Sequence, residues 1–496
     1  MPDPTDEDPV VDNPTYMGNV RGFFRAIDIQ HMAAKGKDLG TYQGVKKNAL
    51  AIYAHTAPGS DMPPDPGDKW SVNRRQTFLN WIMKGYPLGV AAVTTEFVDA
   101  AAARVRKSLN SLSAQEAATL KIAFQALIDR DPTQPDSYFG LGAVHGLPQA
   151  WCAHHIDQYN PWHRVFLMAF EDALRSVPGC EDVTLPYWDI STPIPALLAE
   201  EPFASYTLPI DPGATSEPPQ AGKFFPYTTQ RNGSADIENN LVEYGVLEDI
   251  VTSKAQTVWG AYNVGGYQKF SIQAHDGGHV SIGPTMAAQE VAAFDPVFWF
   301  FHCNLDRLWL AWQKSVGATT FDGFKSTTTG DVTWLDGPAP LNSLEPFSTT
   351  SAQSLDLGVA YAEEPAPMKE ELVFENMVGS LETGRSFRIR RSAPVSVRVK
   401  GIARLNIPGS FVVHLLADGQ PIAKRVFFQP NAPAACPNCA KQALVNVDFR
   451  IDQDKLLDRE LSVTIEVPSQ GEMGARFPLE AAGNPTVNAR LLLEDQ

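Results

Sequence analysis

Apolar residues recur at helical spacing through residues 113–129, Ser-Ala-Gln-Glu-Ala-Ala-Thr-Leu-Lys-Ile-Ala-Phe-Gln-Ala-Leu-Ile-Asp, and Ser113 stands three residues before Glu116. That arrangement predicts a helix opened by a capping box, in which the hydroxyl and the carboxylate satisfy free N–H groups of the first turn. A second helix is expected from Asn160-Pro161, a capping residue followed by a proline where no N–H is needed. It sets His163, Phe166, Leu167, Phe170, Glu171 and Leu174 on one face. Asp295-Pro296 repeats the design and places His302, Leu305, Asp306 and Trp309 on one stripe. Later in the chain the period changes from helical to alternating. Ser386-Phe-Arg-Ile-Arg, Val395-Ser-Val-Arg-Val and Ser462-Val-Thr-Ile-Glu-Val read as strands. A separate C-terminal β-sandwich of about 130 residues is the simplest account. Two stretches rich in Pro, Gly, Ser and Thr, 190–236 and 315–365, read as a surface excursion and a linker.

Composition narrows the function. A chain of 496 residues, 44% hydrophobic and 20% charged, has room for two or more cores. Its formal charge of −17 argues against a nucleic-acid partner, since phosphate binding rests on Lys and Arg. No run approaches the ~20 apolar residues of a membrane span. The acidic, Pro-rich start lacks the basic and apolar regions of a secretory signal. Asn73-Arg-Arg-Gln-Thr-Phe-Leu79 has a twin-arginine look, but no long uncharged run follows it. The five cysteines, an odd and sparse number, suit a reducing compartment, so a cytoplasmic location is expected.

Seven of the ten histidines fall in two blocks: His145, His154, His155 and His163, then His275, His279 and His302. Imidazole is a common ligand for copper, zinc and iron, and two such blocks describe two metals side by side. His145, His154 and His163 are spaced nine and nine apart, so no single helix aligns them; the first two must come from loops or other helix ends. His275 and His279 share a helical face at i and i+4. A zinc-protease reading would need Glu after the first His, and Asp276-Gly-Gly does not supply it. Two glycines cost a helix about 1 kcal/mol each relative to alanine, which points to a close backbone approach there.

The segment His154, four residues, Tyr159, two residues, Trp162-His163-Arg164, with Glu171 eight beyond His163, resembles the first copper motif of the tyrosinase, catechol oxidase and hemocyanin family of type 3 copper proteins. Asp295-Pro-Val-Phe298, three residues, His302, three residues, Asp306 is similar to the family's second copper signature, and Leu185-Pro-Tyr-Trp-Asp189 to one of its core segments. The likeness covers roughly 104–314. This chain departs from the pattern at Tyr159, where the family usually has Phe, at Asn160, where it has an apolar residue, and at Phe301, where it often has a further His.

The resemblance implies a mainly α catalytic domain, a four-helix bundle around a dicopper site, spanning residues 1–345 with an N-terminal extension over 1–100. A linker at 346–364 and a C-terminal β-rich shielding domain at 365–496 would follow. It implies two copper ions, copper A on His145, His154 and His163 and copper B on His275, His279 and His302, with O2 as co-substrate. His155 would not be a ligand. The implied activity is ortho-hydroxylation of monophenols and oxidation of o-diphenols to o-quinones. Catechol oxidase, o-aminophenol oxidase and a hemocyanin-like carrier are the alternatives. By the same likeness Cys152 forms a thioether to His154 or stays a buried thiol. Gln273 and Asp276 are the candidates for handling the phenol proton, Asp276 alternatively fixing a ligand imidazole. Asp306 and Arg307 are expected to pair with each other. Gln289, set among alanines, implies a mouth open to phenols. Cys436-Pro-Asn-Cys439 lacks the setting of a thioredoxin motif and cannot alone complete a zinc site. Its thiolates suit Cu(I) loading, as in fungal relatives whose C-terminal domain covers the site, and Phe427 or Phe428 is the candidate plug.

Overall fold

Three short helices near the start of the chain, α1 (Ala26–Ala33), α2 (Tyr42–His55) and α3 (Val72–Met83), close over an aromatic core of Tyr16, Trp70, Phe78 and Trp81. The Ser71 hydroxyl caps α3 by accepting the Arg74 N–H, so the two arginines of the twin-arginine-like stretch lie in a helix. The computed structural model describes residues 9–84 and 86 with short breaks, 104–146 apart from 133, 152–208, 227–328, 333–335, 341, 344, 348, 357–362, 394–469 and 472–491. The chain divides into two compact units, residues 1–103 with 344–351, and residues 104–343 with 352–496. Among the described residues no helix is long and apolar enough to cross a membrane.

The second unit begins with β1 (Arg104–Arg106) and continues through α4 (Ala114–Asp129), α5 (Tyr138–Gly146), α6 (Tyr159–Arg175), α7 (Ser234–Glu243), α8 (Val246–Lys254), α9 (Tyr267–Ile282), α10 (Val297–Ser315) and α11 (Phe321–Thr327). Ser113 and Glu116 form both arms of the expected capping box on α4. Helix α6 starts one residue before Asn160, because the Gln158 carbonyl already accepts the Trp162 N–H at 2.9 Å; Asn160 is therefore inside the first turn, not its cap. Asp295 accepts the Val297 N–H at 3.0 Å ahead of α10. The apolar faces of α6 and α10 meet through Phe170 stacked on Trp299 at 3.6 Å, and α4 joins them through Phe124 on Phe300. The two glycines of α9 explain themselves: a Cβ on Gly278 would lie 2.6 Å from the Phe301 ring, and one on Gly277 2.6 Å from Val246.

Two antiparallel sheets complete this unit. β3 (Pro394–Ala403), β4 (Phe411–Ala417), β5 (Gln420–Phe427), β6 (Leu444–Asp452), β7 (Leu461–Ser469), β8 (Glu472–Phe477) and β9 (Thr486–Leu491), joined by the short helix α12 (Pro437–Ala440), are ordered β6-β3-β9 and β5-β4-β7-β8. Val397, Val399, Val413, Leu415, Val447 and Ile465 fill the core between them, as alternation predicts. The sandwich is not a separate body, however. Tyr159, Tyr262 and Ile272 from the helical part belong to the same buried cluster. The expected strand at Ser386 lies outside the described residues, as does most of the 346–364 linker; the Pro/Gly/Ser/Thr-rich stretch before it, expected to be irregular, contains helix α11. What is described of the linker is embedded: β2 (Val359–Tyr361) pairs in parallel with β1, Arg106 opposite Tyr361.

Beneath the helices runs a buried ionic cluster. Arg106, fully buried, reaches Glu171 at 2.8 Å and Asp306 at 3.4 Å; Arg164 donates to Asp306 at 2.5 Å, and the Tyr361 hydroxyl donates to the same carboxylate. The expected Asp306–Arg307 pair does not form. Neighbouring residues on a helix point about 100° apart, so Asp306 faces the core while Arg307 reaches outward to Asp189 at 2.7 Å. Burial alone would raise the Glu171 carboxyl, but Arg106, the Leu185 N–H and Arg104 outweigh it and hold it below its ordinary value of 4.5.

Removing one member of such a pair strands a buried charge at a cost of about 3–5 kcal/mol. Glu171→Ala should therefore lower stability by that order, read from urea unfolding midpoints. Because the folded-state value is depressed, the Glu171 contribution is complete above pH about 4.5 and is lost as pH falls through the lowered value. The variant should show a correspondingly flatter acid limb in its stability profile.

Candidate metal centre

His145 ends α5, His154 lies in the loop before α6, His163 sits in the first turns of α6, His275 and His279 share α9, and His302 lies on α10. All six are buried, none more than 4% exposed. The backbone orients three of them and a carboxylate a fourth. His145 Nδ1 meets the Gln289 carbonyl at 3.2 Å, His163 Nδ1 the Tyr159 carbonyl at 2.8 Å and His279 Nδ1 the Met286 carbonyl at 2.7 Å, while His275 Nδ1 meets Asp276 Oδ1 at 2.9 Å. A carbonyl or carboxylate can only accept, so each of these Nδ1 atoms carries the proton and leaves a lone pair on Nε2.

Those Nε2 atoms converge. The Nε2 atoms of His145, His154, His163 and His275 are buried without a hydrogen-bond partner, and His279 Nε2 faces His302 Nε2 at 3.0 Å. Ligand nitrogens of His145, His154 and His163 lie within 4.8 Å of one another, and so do those of His163, His275 and His302. The rings of His275, His279 and His302 are 4.4–5.2 Å apart, and His163 stacks on His302 at 4.7 Å. The two blocks thus share one cavity. Burial pushes every ring below the usual imidazole range, His145 and His163 to about 3, so all six are neutral and able to donate to a metal at neutral pH. Unpartnered inward nitrogens, with no carboxylate or thiolate among the six, fit two copper ions with three imidazoles each.

His155 is placed elsewhere. A positive φ of 59° turns it away, and its Nε2 bonds Asp276 Oδ2 at 2.7 Å while its ring stacks on Phe427 at 4.1 Å. Asp276 therefore receives His275, His155 and, at 3.1 Å, the backbone N–H of Phe428. Burial pushes its carboxyl up, opposed by that N–H, Arg404 and Lys269. Gln273 is not brought to the cavity. Its amide is held by Asp249 and by the backbone of Asp448 on β6, at 3.0–3.3 Å.

Cys152 Sγ lies 3.4 Å from His154 Nδ1 and accepts the Gln289 amide at 2.9 Å, so Gln289 points at sulfur and does not border a mouth. The open mouth expected from its alanine neighbours is closed from another direction. Phe428 stacks on His279 at 4.2 Å and stands 5.4 Å from His154 and 5.6 Å from His275. Phe427, one residue earlier, faces the opposite side and stacks on Phe411 in the sandwich, because successive side chains of a strand alternate. Cys436 and Cys439 flank the same spot: Asn438 between them donates to the Cys152 carbonyl at 3.0 Å. The hydrogen bond from Cys439 lowers the Cys436 thiol to about 6 against its burial, and Arg404 donates to Cys439 Sγ at 3.2 Å. Arg404, with its Nη1 3.4 Å from His155 Nδ1, carried no signal in the sequence; it is one arginine in a β-rich segment.

Residues 135–315 match the common central domain of tyrosinase. A G-type hemocyanin of Enteroctopus dofleini is 30% identical over 246 residues, 44% of this chain and 8% of that protein, so the chain spans a small fraction of that relative. A tyrosinase of Aspergillus oryzae is 26% identical over 442 residues, covering 62% of this chain and 80% of its own. Among solved structures, a tyrosinase from Burkholderia thailandensis superposes with a TM-score of 0.53 at 18% identity, over 78% of this chain and all of that one. That likeness is one of fold.

Copper in excess should bind the folded chain and raise its melting temperature, a hundredfold excess over Kd contributing about 2.7 kcal/mol. His163→Ala, which removes a nitrogen near both groups, should abolish most of that rise, with bound copper counted by metal analysis.

Proposed function

Because residues 135–315 match the common central domain of tyrosinase, we propose that the chain is a type 3 copper protein and a latent tyrosinase, hydroxylating monophenols and oxidising o-diphenols to o-quinones with O2. His145, His154 and His163 hold copper A, and His275, His279 and His302 hold copper B. Bound copper supplies the exchange of electrons with O2 and the phenol. The carrying observation is Phe428: an aromatic ring lies flat against His279 where a phenol ring would enter. Phenylalanine has no hydroxyl to offer a metal, so it occupies the place of a substrate without reacting.

The remaining residues keep the site rigid and dry. Asp276 fixes the His275 ring, and departure of Phe428 removes one of its donors and leaves a carboxylate oxygen for a water beside the phenol. In this reading Asp276, not Gln273, handles the phenol proton. A Cys152–His154 thioether, which the 3.4 Å separation favours, would lock the one ring of the first block whose Nδ1 meets sulfur and no oxygen. It shows as loss of two hydrogens in the mass of the peptide pair. The C-terminal cysteines, close to Cys152, are retained as a copper-loading pair.

Release requires cutting between Ala362 and Pro394, since β2 is built into the helical part. Copper-loaded protein should take up O2 slowly with L-tyrosine and L-DOPA, and faster after such a cut. Uptake with L-DOPA alone makes it a catechol oxidase, and with o-aminophenols alone an o-aminophenol oxidase; silence in every case points to an oxygen carrier. Phe428→Ala should raise the rate of the uncut chain with small phenols by about tenfold, because the competent fraction scales the apparent affinity.

A further inference from the structure

The N-terminal helical unit contains a feature that copper chemistry does not use. Its core leaves a cavity of about 330 Å³ between α1, α2 and the loop before α3, walled by Phe23, Phe24, Met32, Ile52, Met62 and Trp70. The pocket opens to solvent on one side, and its volume is at the lower end of the ~300–1,000 Å³ of small-molecule pockets. The wall is shaped by ring edges: Phe23 and Phe24 meet Trp70 at 5.4 and 5.7 Å with interplanar angles of 67° and 63°. Trp70 is 8% exposed, which leaves it at the floor.

The rim has a sign. Asp28 borders the cavity, but both its oxygens are held by the Arg25 guanidinium at 2.8 and 2.9 Å. Lys35 and Lys37 also border it, are exposed, and have no ion pair among the described residues. In a chain that carries −17, two ammonium groups with no ion pair among the described residues thus stand at the edge of an apolar pocket. We propose that this cavity is a binding site for an amphipathic organic anion, its apolar body against Phe23, Phe24 and Trp70 and its single carboxylate between Lys35 and Lys37. The body is either an aromatic ring or a medium-length alkyl chain, and both share this chemistry.

Calorimetric titration of the full chain without copper, using decanoate and, separately, 3-phenylpropanoate, tests the site. Saturable binding of at least one anion is expected, and the one that binds identifies the body. Lys35→Glu with Lys37→Glu, both on the surface, should weaken binding roughly tenfold at low salt. Ala51→Trp, which fills the cavity from α2, should abolish it while leaving copper binding and O2 uptake unchanged. The inference is overturned if neither anion binds, if binding survives both sets of substitutions, or if neutral 1-decanol binds as tightly as decanoate. None of these results depends on whether the copper centre is a tyrosinase.

Discussion

Six neutral imidazoles gathered in one cavity, four of them with Nδ1 protonated and an Nε2 lone pair turned inward, are the constraint around which the second unit is built. The Nε2 atoms of His145, His154, His163 and His275, buried without a partner, are unfavourable unless cations lie against them. The fold holds the arrangement by satisfying the other side of the rings. Carbonyls of Tyr159, Met286 and Gln289 and the carboxylate of Asp276 take the Nδ1 protons, so the rings cannot flip to relieve the strain. The helices that supply those rings are then fixed by aromatic stacking and by glycines that let α9 approach Phe301.

The β-sandwich takes part in the same constraint. It contributes one ring, Phe428, to the cavity and one N–H to Asp276, while Phe427, Arg404 and His155 stack into a layer between sandwich and helices. Since Tyr159, Tyr262 and Ile272 lie in the sandwich core, uncovering the metal centre means opening an apolar interface as well as withdrawing one side chain. Asp276 links the two ends: it positions His275 on one side and receives the cap on the other, so any movement of Phe428 changes the hydrogen bonding of a metal-facing histidine.

Farther from the cavity, Arg106, Arg164, Glu171, Asp306 and Tyr361 form a buried charged cluster whose members come from four separate stretches of chain. Buried charges persist only when paired and hydrogen-bonded, so this cluster sets the register of α6 against α10 and holds β2 in place. It defines where the helical part ends, at Tyr361, more sharply than composition does.

The histidine blocks, the helices that carry them, the glycine contact within α9 and the strand-rich end of the chain were legible from residue order, because helical and strand periods and metal-ligand spacing are local properties. The partners of Asp306, Arg307 and Gln273 were not. Each pairs across more than twenty residues of chain, and helix spacing says which way a side chain points, not what waits there. Nor could sequence choose between Phe427 and Phe428. Both are aromatic and adjacent, and only the placement of β5 against α9 decides which one enters the cavity. The chain by itself determined which atoms could bind copper; the tertiary structure decided what those atoms face, since long-range packing, and not local spacing, sets access to a buried site.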